Sequence, residues 1–355
     1  MRIVAAMSGG VDSSVVAGLL AEAGHEVIGV TLQLYDHGAA SARRGACCAG
    51  RDIHDARDVA DRLGIAHYVI DREDRFRASV IQDFADSYAA GETPVPCVRC
   101  NMGVKFTDLL GLARDLGAEA MATGHYVRRV DGVHGPELHR ARDPARDQSW
   151  FLFATTPDQL AYTRFPLGDM PDKATVRSEA ARLGLAVAAK PDSQDLCFVP
   201  DGRYADLVAA LRPDAAEPGD VVTRDGRVLG AHAGVGSYTV GQRRGLGAAS
   251  FDAGERQAVL AVDAGSRRVT VGPRTSGSRH VRLRDVNWLV PAAPTRCEVK
   301  LRAREAPHGA EIRPCDGGAE VLLDTAALAA PGQACVFYDG SRVLGGGFIA
   351  RPASP

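Results

Sequence analysis

The N-terminal third of the chain alternates between helical and strand patterns, and this alternation limits the fold more than any other feature. Three times, a segment with helical spacing ends in glycine (Gly24, Gly64 and Gly117) and a short apolar run follows it. Glycine is common just past a helix because it adopts a positive φ without strain. Strands that alternate with helices form a parallel sheet covered on both faces. The sequence therefore predicts an α/β fold with a doubly wound parallel sheet.

A glycine loop, Ser8-Gly9-Gly10-Val11-Asp12-Ser13-Ser14, joins the first predicted strand to the first predicted helix. Glycine lets a ligand approach the backbone, and the free N–H groups and dipole of a helix start favour an anion. For a Gly-Gly pair alone, an ordinary strand–turn–helix connection is the alternative. The longer Ser-Gly-Gly-x-Asp-Ser pattern resembles the pyrophosphate loop (PP-loop) of the ATP pyrophosphatases, which cleave ATP between its α and β phosphates. No Gly-Lys-Ser/Thr follows, so this is not a Walker A loop.

Length and composition indicate several domains and no membrane span. The chain has 355 residues, more than one hydrophobic core usually serves. No apolar run reaches the roughly 20 residues that a membrane helix needs, and no secretory signal is recognisable, so we expect a cytoplasmic protein. A net charge of −2 does not by itself indicate a nucleic-acid binder. The stretch from Arg279 to Arg304 has seven basic and two acidic residues, which suits phosphate contacts, with a solvated strand face as the alternative.

After the first two hundred residues the sequence changes from alternating helix and strand patterns to short strand-like runs with glycine turns. We therefore expect three domains. Residues 1–205 form the predicted α/β domain, which contains the glycine loop. Residues 206–278 form a small central β-rich domain. Residues 279–355 consist of short alternating runs with glycine turns, a pattern typical of a small closed β-barrel.

Three of the eight cysteines lie in irregular segments and are candidates for chemistry. Cys97 and Cys100 form a C-x-x-C motif in a proline-rich loop, before a helix predicted over residues 101–116, where the helix dipole is expected to lower a thiol pKa. Cys197 lies in a second irregular loop. These parts suit sulfur transfer: ATP adenylates an unreactive carbonyl oxygen, and one cysteine carries sulfur as a persulfide. The other cysteine reduces the persulfide or forms a disulfide with the first. The strand-like runs hold Cys297, Cys315 and Cys335, which we interpret as structural.

Five motifs occur in one order along the chain and together indicate a family. They are Ser8-Gly9-Gly10-Val11-Asp12-Ser13, Thr123-Gly124-His125-Tyr126, Asp147-Gln148-Ser149-x-Phe151-Leu152, Phe165-Pro166-Leu167-Gly168 and Gly241-Gln242-Arg243-Arg244-Gly245-Leu246-Gly247. In this combination the chain resembles the tRNA-specific 2-thiouridylases over residues 1–350. The resemblance implies an ATP-dependent sulfurtransferase that thiolates position 2 of the wobble uridine in the tRNAs for Lys, Glu and Gln. It also implies that Cys100, before Asn101, is the nucleophile and that Cys197, before Phe198, carries the persulfide.

The resemblance further implies binding residues and partners. The ATP site would use Ala6, Met7, Ser8, Gly9, Gly10, Val11, Asp12, Ser13, Leu32 and Gly124. The tRNA contacts would be Val95, Pro96 and Cys97 at the target base, with His125, Arg146, Asp147, Gln148, Arg302, Ala303 and Gln333. Mg²⁺ is expected with ATP, and Asp12 is its candidate carboxylate. A cysteine desulfurase or sulfur relay protein is expected to load the persulfide, and the C-terminal barrel is expected to hold the tRNA body.

One departure from the family pattern leaves the sulfur chemistry open. Many members carry Asp three residues before the nucleophile, where this chain has Cys97. Cys97, Cys100 and Cys197 could instead hold a [4Fe–4S] cluster, as in some related tRNA thiolases. A zinc site that combines the C-x-x-C motif with Cys47 and Cys48 is a weaker alternative. Alternatives of other classes are an amide-forming ATP pyrophosphatase and a tRNA-binding module without turnover.

Overall fold

The computed structural model describes residues 1–35, 48–192, 196–199 and 203–352. The chain divides into two compact units. The first unit consists of Met1–Ser79, Cys97–Phe198 and Ser341–Val343, and the second of Val80–Pro96, Val199–Gly340 and Leu344–Pro355. Each unit therefore combines segments that are distant in sequence. Within the described ranges, none of the helices has the length and apolar character needed to cross a membrane.

A parallel sheet forms the centre of the first unit. The strands described in this unit are β1 (Arg2–Ala6), β2 (Glu26–Gln33), β3 (Ala66–Asp71), β4 (Ala120–Ala122), β5 (Val127–Gly132), β6 (Gly135–Arg140) and β7 (Thr163–Arg164). Five of them pair in the order β3-β2-β1-β4-β7, and every pairing is parallel. β4 is wholly buried, as are the central residues of β1. The predicted parallel sheet is confirmed.

The prediction that helices end at a glycine is also confirmed. The α-helices described in the chain are α1 (Val11–Glu22), α2 (Cys48–Leu63), α3 (Glu73–Phe76), α4 (Gln82–Ala89), α5 (Pro96–Cys100), α6 (Leu109–Asp115), α7 (Pro157–Tyr162), α8 (Lys173–Arg182) and α9 (Tyr204–Leu211). The three predicted glycines, Gly24, Gly64 and Gly117, each follow a helix, as does Gly184, and their φ lies between +66° and +77°. At the start of α8, the Asp172 side chain accepts a hydrogen bond from the Thr175 amide.

Within the described ranges, two segments are wound as π-helices, π1 (Arg77–Ile81) and π2 (Asn101–Asp108). The prediction of one helix over residues 101–116, preceded by an irregular loop, is wrong at its start. The helix begins at Pro96, because proline fits the first helical turn, where its missing N–H needs no partner. Cys97 and Cys100 are thus helical residues, and π2 follows directly after Cys100.

β5 and β6 form a hairpin, with Val127 opposite Arg140. A strand from the end of the chain extends it: Arg342 pairs with His139, and the Arg140 amide donates to the Ser341 carbonyl at 2.7 Å. This is why Ser341–Val343 belongs to the first unit.

The second unit contains the predicted barrel. Its central part has β8 (Gly219–Thr223), β9 (Val228–His232), β10 (Phe251–Asp252), β11 (Glu255–Asp263) and β12 (Arg268–Pro273) in the order β10-β11-β12-β8-β9. Its C-terminal part has β13 (Ser278–Trp288), β14 (Thr295–Lys300), β15 (His308–Cys315), β16 (Gly318–Ala327), β17 (Ala334–Asp339) and β18 (Arg342–Ile349). These pair in the order β13-β16-β15-β14-β17-β18, and β18 pairs back onto β13, which closes the barrel.

Candidate active site

The glycine loop lies after β1 and is tied together by its own side chains. The Ser8 amide donates to Ser13 Oγ at 3.1 Å, and Ser14 Oγ donates to the Gly10 carbonyl at 2.8 Å. Gly9 has φ of +72°, and a Cβ built on it would lie 2.1 Å from the Asp52 carbonyl oxygen of α2. The backbone therefore needs glycine here for two reasons, its conformation and the close approach of α2.

The other predicted ATP residues from strand ends lie against this loop. A Cβ on Gly124, after β4, would lie 2.9 Å from the Ser13 amide nitrogen. In β2, the Thr31 hydroxyl, next to Leu32, donates to the Met7 carbonyl at 2.7 Å. Three strand ends therefore meet at one place, as expected at the carboxyl edge of a parallel sheet.

Asp12 has partners that occupy its carboxylate. Lys173 Nζ lies 2.6 Å and 2.8 Å from the two oxygens, and the Tyr126 hydroxyl donates to Oδ1 at 2.6 Å. Burial, followed by the hydrogen bond to Asp12, raises the pKa of Tyr126. A carboxylate that is already neutralised by an ammonium does not fit the role of Mg²⁺ ligand that the sequence suggested, so we route no step through a metal at Asp12.

Lys173 joins the glycine loop to the segment that leads to Cys197. Its Nζ also lies 3.0 Å from Asp192 Oδ1, and Arg146 and Arg177 contact the same carboxylate at 2.7 Å and 3.2 Å. Burial opposes ionisation of Asp192, but the bond to Lys173 and the other cations lower its pKa overall. One ammonium thus links Asp12 to Asp192 across 180 residues of sequence.

A second lysine lies on the other side of the loop. Lys190 Nζ donates to the Gly9 carbonyl at 2.9 Å and to Asp52 at 2.7 Å, and it also contacts Asp55. The sequence analysis missed both Lys173 and Lys190. Their rarity could have drawn attention to them, because the chain has 42 Lys and Arg residues in total and only four of these are lysines.

The thiol pKa values differ from the prediction. Cys100 is buried, whereas Cys97 and Cys197 are exposed. Loss of hydration in the protein raises the pKa of all three thiols, to about 11 for Cys197. The charge of Lys105 acts in the opposite direction and lowers each pKa. The predicted lowering is wrong because desolvation of the thiolate, the largest effect on each of the three thiols, prevails.

The segment around Cys197 is held at both ends. On one side, Phe198 packs edge-on against Phe76 with ring centroids 5.8 Å apart, and Phe76 contacts Tyr35 at 6.1 Å. On the other side lies Asp192 with its three cations. Tyr35 also forms a hydrogen bond with Cys197 that favours the thiolate. Cys197 interacts electrostatically with Cys100 and Cys97. The structure therefore brings the three predicted thiols together.

His125 is neutral rather than cationic. Thr123 Oγ1 lies 2.9 Å from its Nδ1, and its ring stacks on Phe106 at 6.0 Å. Burial, followed by the charge of Lys105, lowers its pKa to about 3. Because this imidazole is uncharged near pH 7, it suits stacking or hydrogen bonding with a base better than a phosphate contact.

Several predicted tRNA residues of the first unit make internal contacts. Asp147 accepts hydrogen bonds from the amides of Ala141 and Ser149, and Gln148 Oε1 accepts from the Tyr126 amide at 2.8 Å. Arg146 pairs with Asp192. These side chains shape the loop before Trp150, and any contact with tRNA adds to that role.

The predicted tRNA residues of the second unit include one that shapes the proline-rich loop. Gln333 Nε2 donates to the carbonyls of Thr93 at 3.1 Å and Pro94 at 3.4 Å. Val95 and Pro96 are buried, so of the predicted base-contacting residues only Cys97 is exposed. Arg302 donates to the Val240 carbonyl at 3.1 Å, and Gly241 leaves room for its guanidinium. The Ala303 carbonyl accepts from Lys300 at 2.6 Å.

The side chains that could ligate a metal are the last feature of the site. Across the described residues, no group of three or more His, Cys, Asp or Glu side chains is arranged to hold a metal ion. The positions of Cys97, Cys100 and Cys197 therefore do not fit a ready ligand set, and we derive no step through a cluster. Cys47 and the side chain of Cys48, which belong to the zinc alternative, lie outside the described residues.

Replacing Lys173 with methionine is expected to destabilise the first unit, by on the order of 3 kcal/mol, because the Asp12 and Asp192 carboxylates lose their shared cation. Arg182→Met is a matched control on α8, since Arg182 forms exposed ion pairs with Glu22 and Glu179 and should lose far less. Denaturant unfolding of both variants measures the difference. Equal losses would show that the Lys173 bridge has no special weight.

Comparison with known proteins agrees with this architecture. Three family models match: "tRNA methyl transferase HUP domain" over residues 1–201, "tRNA methyl transferase PRC-barrel domain" over residues 208–273 and "Aminomethyltransferase beta-barrel domain" over residues 278–349. The tRNA-specific 2-thiouridylase MnmA of Acidiphilium cryptum is 70% identical over 351 residues, which cover 98% of this chain and 100% of that protein. The proteins of the same name from Gluconobacter oxydans and Rhodospirillum centenum are 66% and 60% identical, over 98% and 100% of this chain and 99% and 93% of theirs. The chain therefore belongs to the family of tRNA-specific 2-thiouridylases.

Proposed function

We propose that this protein uses ATP to thiolate position 2 of a uridine in tRNA, and that its target is the wobble uridine of the tRNAs for Lys, Glu and Gln. Family membership supports the tRNA 2-thiolation and the use of ATP. The observation that carries the proposal is the placement, in one unit, of a PP-loop and three interacting thiols. Gly124 contacts the loop and His125, the next residue, interacts with Lys105 beside the thiols, so the two parts are neighbours.

The first step is activation of the uridine. Its O2 attacks the α-phosphorus of ATP, and pyrophosphate leaves. The N-terminal N–H groups of α1 and the backbone of the glycine loop would bind the phosphates, and Lys173 and Lys190 keep the loop in its shape. The product is an O2-adenylated uridine whose C2 is open to a sulfur nucleophile, with AMP as the leaving group.

The second step transfers sulfur from Cys197 with Cys100 as its partner. The terminal sulfur of the Cys197 persulfide bonds to C2, and the C2–O2 bond to AMP breaks. The Cys100 thiolate then attacks Sγ of Cys197, which forms a Cys100–Cys197 disulfide and releases the sulfur on the uridine. If Cys100 attacks the persulfide first, hydrosulfide is released and adds to C2, and the same disulfide remains. An external thiol must reduce it before the next turnover.

We propose the following assignments for the remaining residues. ATP binds to Ala6, Met7, Ser8, Gly9, Gly10, Val11, Ser13, Leu32 and Gly124, with Asp12 holding Lys173 rather than a metal. Mg²⁺ accompanies ATP. Cys97 lies beside the target base and is a third thiol. tRNA contacts are assigned to Val95, Pro96, His125, Arg146, Asp147, Gln148, Arg302, Ala303 and Gln333. His125 and Gln333 have the clearest support, from a neutral ring and from the shaping of the proline-rich loop.

We also propose the partners and the division into domains. A cysteine desulfurase or a sulfur relay protein loads Cys197, since the chemistry needs a persulfide from outside the chain. Residues 1–205, 206–278 and 279–355 are proposed as the catalytic, central and tRNA-holding domains, which the ranges of the three family models support. A cytoplasmic place of action follows from the tRNA substrate.

The test is mass spectrometry of nucleosides from tRNA that has been incubated with the full-length protein, ATP, Mg²⁺ and a sulfur donor. We expect 2-thiouridine at the wobble position, together with one pyrophosphate for each thiolation. Cys315→Ser, which changes an exposed thiol of the barrel, should behave like the wild type. Pyrophosphate release without 2-thiouridine would favour another ATP pyrophosphatase, and no release would favour a binding module.

The same preparations decide between persulfide and cluster. Protein purified without oxygen is analysed for iron and acid-labile sulfide before the thiolation assay. The persulfide route predicts full turnover without iron. Turnover that depends on bound iron, and that disappears in Cys97→Ser together with the iron, would instead support a [4Fe–4S] cluster.

A further inference from the structure

The Lys105 ammonium lacks the partners that the other lysines have. Lys173 and Lys190 form ion pairs with carboxylates, and Lys300 donates to a backbone carbonyl. Within the described part of the chain, Lys105 forms no hydrogen bond or carboxylate ion pair, although its side chain is only partly exposed. An ammonium in this position is costly unless other charges compensate for its lost hydration. The groups that interact with it are the thiols of Cys100, Cys97 and Cys197 and the imidazole of His125.

The π-helical winding of π2 explains how Lys105 lies on the same side of the helix as Cys100. In a π-helix, residues five apart are joined by a backbone hydrogen bond and lie one turn apart, whereas in an α-helix this holds for residues four apart. Cys100 immediately precedes π2, and Lys105 follows it by five residues. An α-helix would place Val104 above Cys100 instead, but Val104 is fully buried in the core. The extra residue per turn therefore turns an apolar side chain inward and a cation towards the cysteines.

The electrostatic interactions are mutual. Burial acts to lower the pKa of Lys105, but the charges of Cys100, Cys97 and Cys197 outweigh it and raise the pKa overall. In return, Lys105 lowers the thiol pKa values that burial raises. Other groups near these charges are the Tyr35 hydroxyl at Cys197 and His125, which is neutral near pH 7. Lys105 is therefore the cation that these thiols share.

We propose that Lys105 is a positioning residue that holds the sulfur anions of Cys100 and Cys197 during sulfur transfer. The catalytic meaning of this interaction rests on the proposed function, whereas the interaction itself is a property of the protein without substrate. At each stage of the transfer one of the two cysteines carries a sulfur anion, first as a persulfide and then as a thiolate. A fixed ammonium on π2 stabilises either anion and is not consumed.

The proposal is tested by the pH dependence of alkylation of Cys100 and Cys197 by iodoacetamide in the reduced full-length protein without ATP or tRNA. Removing the charge in Lys105→Gln should raise the apparent pKa of both thiols. A rise of about one unit would slow alkylation at neutral pH about tenfold. Lys105→Arg should restore the wild-type profile, since the charge returns. Arg77→Gln removes an exposed cation from π1 as a matched control and should leave the profile unchanged.

An unchanged alkylation profile in Lys105→Gln would overturn the proposal. If thiolation of tRNA were lost in the same variant, Lys105 would instead contact a phosphate of the tRNA or of the nucleotide. Because alkylation needs no substrate, this outcome is separate from a failure of the proposed function. If the glutamine variant does not fold, Lys105→Met, which keeps an unbranched side chain without the charge, should show the same shift.

Discussion

Replacing Cys197 with serine is expected to reduce 2-thiouridine formation more than about 1,000-fold, because a serine hydroxyl cannot carry a persulfide. Cys100→Ser should cause a loss of the same size, but at a different stage. With sulfur-labelled donor, Cys100→Ser should retain label on Cys197, whereas Cys197→Ser should retain none. Both variants keep the glycine loop, so both should still release pyrophosphate when tRNA and ATP are supplied.

The measurement follows label on protein, label in tRNA and pyrophosphate in parallel, with Cys315→Ser as the control thiol. Label on Cys100 rather than Cys197 would reverse the two proposed roles. Full thiolation by either serine variant would exclude the paired-thiol mechanism.

Replacing Gly9 with alanine is expected to abolish ATP-dependent activity and to destabilise the protein by more than about 2 kcal/mol. A left-handed backbone alone costs an alanine about 1–2 kcal/mol. The new Cβ would also lie 2.1 Å from the Asp52 carbonyl, so either the loop or α2 must move. A shifted loop no longer presents its N–H groups to the phosphates. ATP binding by calorimetry and denaturant unfolding measure the two effects.

Gly24→Ala separates backbone strain from the clash. Gly24 has φ of +77°, close to that of Gly9, but a Cβ there meets nothing within 4 Å. Gly24→Ala should therefore lower the free energy of unfolding through backbone strain and leave ATP binding normal. If Gly9→Ala bound ATP as well as Gly24→Ala does, the close approach of α2 would not matter for nucleotide binding.

The sequence was sufficient for the elements whose pattern is local. The strand before the glycine loop, the hairpin of β5 and β6 and the glycine-ended helices all have clear periodicity or turn residues. β15 has no clear strand pattern in the sequence because Gly309 and Pro314 interrupt its alternation, and its place is fixed by pairing with β14 and β16. π2 could not be predicted, because a π-turn depends on which side chains the core accepts, here Val104 in place of Lys105.

The sequence pointed to the thiols and the glycine loop of the candidate site, but not to its lysine cations. The chain has only four lysines, and three of the four lie beside the loop or the thiols. An ammonium is a compact charge, whereas the planar guanidinium of arginine needs more room. At Lys173, between Asp12 and Asp192, that room is absent, because the side chain is only 10% exposed.

The thiol pKa values show a further limit of sequence reasoning. The rule that a helix start lowers a thiol pKa assumes an accessible sulfur. Burial of Cys100 was not visible in the sequence, and its effect is larger and opposite in sign. The thiolates therefore depend on a specific neighbour rather than on a general feature of the backbone.

The interleaving of the two units has a consequence for synthesis on the ribosome. The first unit, which contains the glycine loop and the thiols, includes Ser341–Val343, and Arg342 pairs with His139 at its edge. The second unit in turn needs Val80–Pro96 from the early part of the chain. Neither unit has all its residues until translation is nearly complete, so the N-terminal part cannot finish folding before the barrel emerges. The parallel sheet and the three thiols lie within residues 2–197 and can assemble earlier, whereas the exposed edge of β6 and the second unit stay incomplete for almost the whole of synthesis.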